Sequence, residues 1–419
     1  MKRYFALFLT ALTALVFCAG CEVTIRDKEE DVKTSENTET VEPTETQPET
    51  PPAELQPDPS EQDDEIGFLM SQMSLEEKVG QLFIVRPDAL DFSQTPETVN
   101  DSSADGITEL SETVKEALRN YPVGGVVMFG KNIENPEQIS VFIDTLQDDS
   151  RVPLFIAVDE EGGTVARLAN SQAFDLPKYE SAAAVGENGN RADAMNMGTS
   201  IGAYLRQYGF NLDFAPVADV NSNPDNTVIG KRAFSSDAEV VKVMSHAMAD
   251  GLREEGIIPT FKHFPGHGDT AEDSHSEVAV CHKTKDEMQN CEWIPYKTLT
   301  VDECVMVGHI ALPNIVGDMT PSSVSYEAVN GILRNELNFE GVVITDSLSM
   351  GAVTNTYTPG DAAIKAIEAG CDMLLCPYDL RKAFGALVNA VENGTVSEER
   401  IDESVRRILT LKRAYEIIE

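Results

Sequence analysis

Three of the chain's six histidines fall in one short stretch, FKHFPGHGDTAEDSHSE, from Phe261 to Glu277. His263 and His267 are four residues apart, the spacing of two metal ligands on one helix face. Pro265, Gly266 and Gly268 lie in and beside that interval and make a helix there unfavourable. The stretch therefore reads as a long irregular loop, with glycines that would give it mobility. His275 stands near its far end, two residues after Asp273. A carboxylate so close can orient an imidazole and support its protonated form, an acid/base device. Two exposed loop residues with no such role is the competing reading.

Other ionisable residues recur at the ends of apolar runs. Asp159 ends LFIAVD, Asp219 ends DFAPVAD, Lys262 and His263 end IPTFKH, His309 ends VMVGH and Asp346 ends VVITD. One Asp after a strand is often a cap or turn former. Several at the same end of different strands point to one shared rim.

The elements that would carry them are eight short apolar runs: 81–85, 125–129, 154–158, 211–216, 257–262, 304–309, 342–345 and 373–376. They are continuous rather than alternating, as strands buried on both faces of a parallel sheet should be. Helical patterns separate them, at 136–149, 191–208, 238–255, 327–337 and 362–369, with 381–393 and 398–418 closing the chain. The expected fold is α/β, a (β/α)8 TIM-like barrel over residues 64–419, with its site at the C-terminal strand ends. A doubly wound open sheet would want a Gly-rich phosphate turn after an early strand, and none is present. The long polar loop 88–106 reads first as a surface insertion, with shaping of the entry to the site as the alternative.

Ahead of the barrel the composition changes. Residues 1–20 have Lys2 and Arg3, a short apolar run and small residues before Cys21, the anatomy of a secretory signal. The run falls short of the ~20 apolar residues that a membrane helix needs. Cleavage before Cys21 and lipidation of its sulfur would make a lipoprotein anchored to the extracytoplasmic face of the cell membrane. Cys18 stands where such signals usually have Leu. Residues 21–63 form an acidic Thr/Glu/Pro-rich linker, expected to stay disordered because it buries too little to offset its ordering entropy. Glu22 to Glu65 has 16 acidic and 3 basic residues, a net of −13 within a chain total of −39. A third of the acidity thus sits on a solvated stalk. The remaining body is still acidic, which argues against a nucleic-acid partner. Cys304, Cys371 and Cys376 lie in apolar runs and read as core residues. Cys281 and Cys291 are close enough in sequence for a local disulfide.

The motifs KHFPGHGDT…DSH, VDEEGGTVARL (158–168), NLDFAPVADVNSNPDNTVIGKRAF (211–234) and GVVITDSLSM (341–350) closely resemble the β-N-acetylhexosaminidases of glycoside hydrolase family 3. MSLEEKVGQLFIV and VGGVVMFGKNIENPEQI match too, so the resemblance covers the folded body. It implies that Asp346 is the nucleophile and His275 the general acid/base, with Asp273 as its partner. It implies that Asp159, Arg167, Arg232, Lys262 and His263 hold the sugar, and that no metal or cofactor is needed. The implied partner is an N-acetylglucosamine-containing oligosaccharide, such as a peptidoglycan fragment, cleaved by a monomer of the single-domain type. His267 belongs to the motif and is read as loop structure. Ser347 stands where the family often has a second Asp, and Thr164 where an Arg is common. A glucoside- or xyloside-preferring relative, an amidohydrolase-type metal enzyme and a silent sugar-binding lipoprotein are the alternatives. The amidohydrolase reading lacks His-x-His after the first strand.

Overall fold

A computed structural model describes Pro59–Glu419 except Glu272, Asp273 and His275. The expected signal, Cys21 and nearly all of the linker lie outside the described residues, as do the acid/base candidates Asp273 and His275. The linker was expected to run to Asp63, but a helix begins at Pro59 and continues to Ser71. Its residues Ile66 and Met70 are buried, and it packs on the C-terminal helix Glu398–Ala414. That apolar contact is what orders the acidic segment.

Eight parallel strands follow: β1 Phe83–Val85, β2 Gly125–Met128, β3 Phe155–Val158, β4 Leu212–Asp213, β5 Ile258–Phe264, β6 Cys304–Val307, β7 Val342–Thr345 and β8 Leu374–Leu375. Neighbours in sequence are neighbours in the sheet. The ring closes where β8 pairs with β1, Phe83 opposite Leu374, and where Ile344 bridges Met373. Every strand coincides with one of the apolar runs; most are shorter by a few residues, β7 matches its run, and β5 continues two residues further, to Phe264. The strands are buried throughout because helices cover the barrel outside and side chains fill it within.

Helix starts follow local chemistry. Ser74 accepts from the Glu77 amide while Glu77 returns to the Ser74 amide, a reciprocal cap on Leu75–Gln81. Asn135 before Pro136 and Thr358 before Pro359 cap the helices Pro136–Asp148 and Pro359–Ala369. Cys304, Cys371 and Cys376 are core residues as expected. Cys281 and Cys291 are both free thiols. Among the described residues no helix is long and apolar enough to cross a membrane.

Candidate active site

The rim that the sequence suggested exists. A cavity of about 360 Å³ opens among the C-terminal strand ends. Its lining includes Asp159, Arg167, Arg232, Lys262, His263 and Asp346, which are six of the expected site residues.

Lys262 is 2 % exposed and is the hub. Its Nζ sits 2.9 Å from Asp159 Oδ1 and 2.7 Å from Glu161 Oε1. Arg167 reaches Asp159 Oδ2 at 3.0 Å, and Arg232 grips both oxygens of Glu161 at 2.8 and 2.7 Å. Burial opposes charge on Asp159, Glu161, Lys262 and Arg232, but opposite charges outweigh it. Lys262 and Arg167 hold Asp159 well below the usual carboxylate range, and Lys262 and Arg232 hold Glu161 down to about 2. The same carboxylates raise the Lys262 pKa against burial. The result is a fixed grid of alternating charge with hydrogen-bond donors and acceptors set in place. Glu161 was not among the expected site residues, because its partners lie far along the chain. The turn that carries it is braced by Glu160, which accepts from the Leu168 and Ala169 amides and from Tyr204 Oη.

Asp219 organises the loop after β5. Its carboxylate accepts from the backbone of His263 at 3.2 Å, from His263 Nδ1 at 2.7 Å and from the His267 amide at 2.6 Å. Burial would raise its pKa, but His263 and the other donors outweigh that and lower it. This gives a sign. Stability from this group is present above the ordinary Asp pKa and is lost as pH falls through the lowered folded value. Asp219→Asn is expected to cost about 2 kcal/mol at neutral pH, since an amide nitrogen would face a donor. Urea melts should show the deficit at pH 7 shrinking towards pH 3.

The loop's glycines have a packing role that the sequence reading did not include. A Cβ on Gly268 would lie 1.8 Å from Val220 O. Gly266 has φ +128°, and a Cβ there would strike Glu292. His267 also does more than shape the loop, since it lines the cavity. Thr270 Oγ1 donates to the His267 carbonyl at 2.9 Å and accepts from His267 Nδ1 at 2.7 Å. His267 Nε2 is then free to accept from Ser274 Oγ at 2.9 Å. Burial, then the charge of His263, lowers the His267 pKa, so the neutral ring suits this pattern.

Asp346 follows β7 directly. Its Oδ1 accepts from the Ser347 amide at 2.7 Å, and among the described residues no cation is ion-paired to it. Burial works against its charge, while His309 and His263 favour it more strongly and lower its pKa. It is an ionised carboxylate facing a cavity. His309 stands behind it, with Nε2 2.9 Å from the Ser347 carbonyl and Nδ1 2.7 Å from Ser323 Oγ. Among the described residues no three His, Cys, Asp or Glu side chains are grouped as a metal site requires.

A family model described as the glycosyl hydrolase family 3 N-terminal domain matches residues 74–411. The chain belongs to glycoside hydrolase family 3. It is 33 % identical over 333 residues to beta-hexosaminidase A of Pseudoalteromonas piscicida, covering 73 % of this chain and 56 % of that one. It is 34 % identical over 309 residues to beta-hexosaminidase LpqI of Mycobacterium tuberculosis, covering 70 % and 77 %. Among solved structures, a family 3 beta-N-acetylglucosaminidase from Paenibacillus sp. FPU-7 superposes with a TM-score of 0.75 at 35 % identity, covering 82 % of this chain and 63 % of that one. This family 3 barrel therefore spans only part of the first relative and of the Paenibacillus enzyme.

Proposed function

We propose that the chain is an exo-acting, retaining β-N-acetylhexosaminidase that releases terminal β-linked N-acetylglucosamine from peptidoglycan fragments or related oligosaccharides. The observation that carries this is the ionised Asp346 carboxylate, without an ion pair among the described residues, facing a cavity whose other wall is the Asp159–Lys262–Glu161–Arg232 grid. The beta-hexosaminidase names of the relatives support the substrate class.

In this reading an Asp346 oxygen attacks the anomeric carbon as the glycosidic C–O bond breaks. His275, oriented by Asp273, gives its proton to the leaving oxygen. Water then attacks the glycosyl ester, His275 takes back a proton, and Asp346 leaves as carboxylate. Two displacements return the original anomer. Asp159, Arg167, Arg232, Lys262 and His263 hold the ring. An imidazole suits the acid role because its reference pKa near 6.5 lets it donate and accept near neutrality. The proposed layout is a signal at 1–20, a lipid on Cys21, a linker and a catalytic barrel acting as a monomer outside the membrane. The signal anatomy supports the anchor.

The test compares 4-nitrophenyl N-acetyl-β-glucosaminide with the matching glucoside, with and without chelator. Preference for the N-acetylglucosaminide by at least about tenfold is expected, unaffected by chelator. Preference for the glucoside would favour a glucosidase, and no turnover would favour a sugar-binding lipoprotein. His275→Ala is expected to lose about 100-fold or more on substrates with poor leaving groups and far less on activated aryl glycosides. Equal losses across a leaving-group series would count against the acid role.

A further inference from the structure

Of the ionisable residues that end barrel strands, His309 is the one to which neither the charge grid, the Asp219 loop nor the proposed chemistry gives a task. It lies just past β6, fully buried, behind the cavity wall rather than on it. Both ring nitrogens are engaged. Nε2 is 2.9 Å from the Ser347 carbonyl, and a carbonyl only accepts, so Nε2 carries a hydrogen. Nδ1 is 2.7 Å from Oγ of Ser323, which is fully buried as well. A planar ring fixed at both ends keeps one orientation.

What the ring holds is the backbone that follows Asp346. The peptide group between Ser347 and Leu348 is gripped from the strand on each side. His309, past β6, donates to its carbonyl, and Leu375 of β8 accepts from its amide at 2.9 Å. Further back, the Asp346 amide donates to Val307 O of β6 at 2.8 Å. Between these anchors the Ser347 amide donates to Asp346 Oδ1 at 2.7 Å. The carboxylate is therefore oriented by an amide whose own place is set from both sides. Two of the anchors are main-chain bonds that any sequence could make, and the third is the His309 side chain. Burial disfavours the Asp346 charge, and His309 leads the groups that outweigh it, ahead of His263 and Lys262. The ring thus supports the anion as well as its direction.

We propose that His309 is a positioning residue for the nucleophile: through the Ser347 backbone it aims the Asp346 carboxylate at the anomeric carbon, without touching the sugar. This rests on the glycosidase reading above, in which Asp346 attacks. Attack at one carbon tolerates little error, and a misplacement of roughly 1 Å costs on the order of 100-fold. Ser323 acts one step further out, by fixing the far end of the ring.

The experiment compares His309→Asn with His309→Gln. An Asn amide stands where Nδ1 does and keeps Ser323, but stops short of Ser347. A Gln amide reaches the place of Nε2 and still donates to the Ser347 carbonyl. The probe is a ring-fluorinated N-acetylglucosaminyl fluoride, and the readout is its rate of labelling at Asp346 by peptide mass spectrometry. Fluoride leaves without needing a proton, so the C–F bond breaks as the Asp346 ester forms and the rate reads attack apart from His275. The Asn variant should label on the order of 100-fold more slowly, and the Gln variant should stay within about tenfold of wild type. Calorimetric affinity for N-acetylglucosamine should change by less than about threefold in both, because His309 is behind the wall and not on it. The acid limb of labelling should move to higher pH in both, since the group that most favours the Asp346 anion is gone. Ser323→Ala should slow labelling about three- to tenfold, which keeps a readout if a His309 variant does not fold; a wild-type rate there would overturn the assignment. Equal rates in the Asn and Gln variants would overturn it too, because a general disturbance of the core strikes both alike. So would a loss of sugar affinity as large as the loss of rate. Those results leave the glycosidase reading standing. Wild type that is not labelled at Asp346 would remove that reading, and this inference with it.

Discussion

Asp346→Asn should lower kcat/KM for N-acetylglucosaminides by at least ~10⁴-fold, because it removes the only atom proposed to attack the anomeric carbon. The change is nearly isosteric. The Asn carbonyl can still accept from the Ser347 amide, and the Asp346 amide still donates to Val307 O at 2.8 Å. His309 continues to hold the Ser347 carbonyl from behind. The melting temperature should therefore change by only a few degrees while activity disappears. The electrostatics explain why loss should be so complete. Burial disfavours charge at Asp346, but His309 and His263 more than compensate, so wild type carries a ready anion at neutral pH. An amide carries none. Because the carboxylate pKa lies below the ordinary Asp value, the acid limb of kcat/KM set by this group should lie in the strongly acidic range. A fluorinated mechanism-based glycoside should label wild type at Asp346 and leave the variant unlabelled, as read by peptide mass spectrometry. Residual activity above one part in about a hundred would remove Asp346 from the nucleophile role.

Much of this architecture is legible in the chain, for a physical reason. Parallel barrel strands are buried on both faces, so each reads as an uninterrupted apolar run, and the polar residue that ends the run marks the rim. That is how Asp159, Lys262, His263 and Asp346 could be placed together before any coordinates. Glu161 was harder to see. It follows Glu160 in a turn, and its meaning comes from Lys262 and Arg232, which reach it only in the closed barrel. Arg86 and Asn100, which also line the cavity, were hidden for a related reason. Nothing local distinguishes Arg after FIV from a solvated loop residue, and the 88–106 loop looked like surface by composition. The packing role of Gly266 and Gly268 was not legible because glycine signals either freedom or close approach. Only the neighbours Glu292 and Val220 decide between them. The helix from Pro59 begins within the expected linker because Ile66 and Met70, already in the expected body, pack on a partner helix at the other end of the chain, which no local signal reveals.

At the opposite end of the barrel, Lys412→Met should stabilise the protein by about 3 kcal/mol at pH 6 and lose that advantage by pH 10. Lys412 is fully buried in the helix Glu398–Ala414. Its Nζ meets Gln81 Oε1 at 2.9 Å and lies 5.0 Å from the centroid of the Phe155 ring. Among the described residues no carboxylate is ion-paired to it. Burial therefore pushes its pKa down to about 7. The unfolded chain holds this proton up to about pH 10.5, so between the two values unfolding takes up a proton and wild-type stability rises with pH. The penalty is full below pH 7 and fades as pH climbs towards 10.5. A gap of that width corresponds to between about 4 and 5 kcal/mol. Methionine removes it but leaves Gln81 Oε1 without its donor, at a cost of about 1–2 kcal/mol. The difference favours the variant in acid and neutral solution and turns against it in base. Urea denaturation of both proteins at pH 6, 8 and 10 measures this. A stability difference that does not vary with pH would mean that Lys412 keeps its charge in the folded barrel, held by Gln81 and the Phe155 ring.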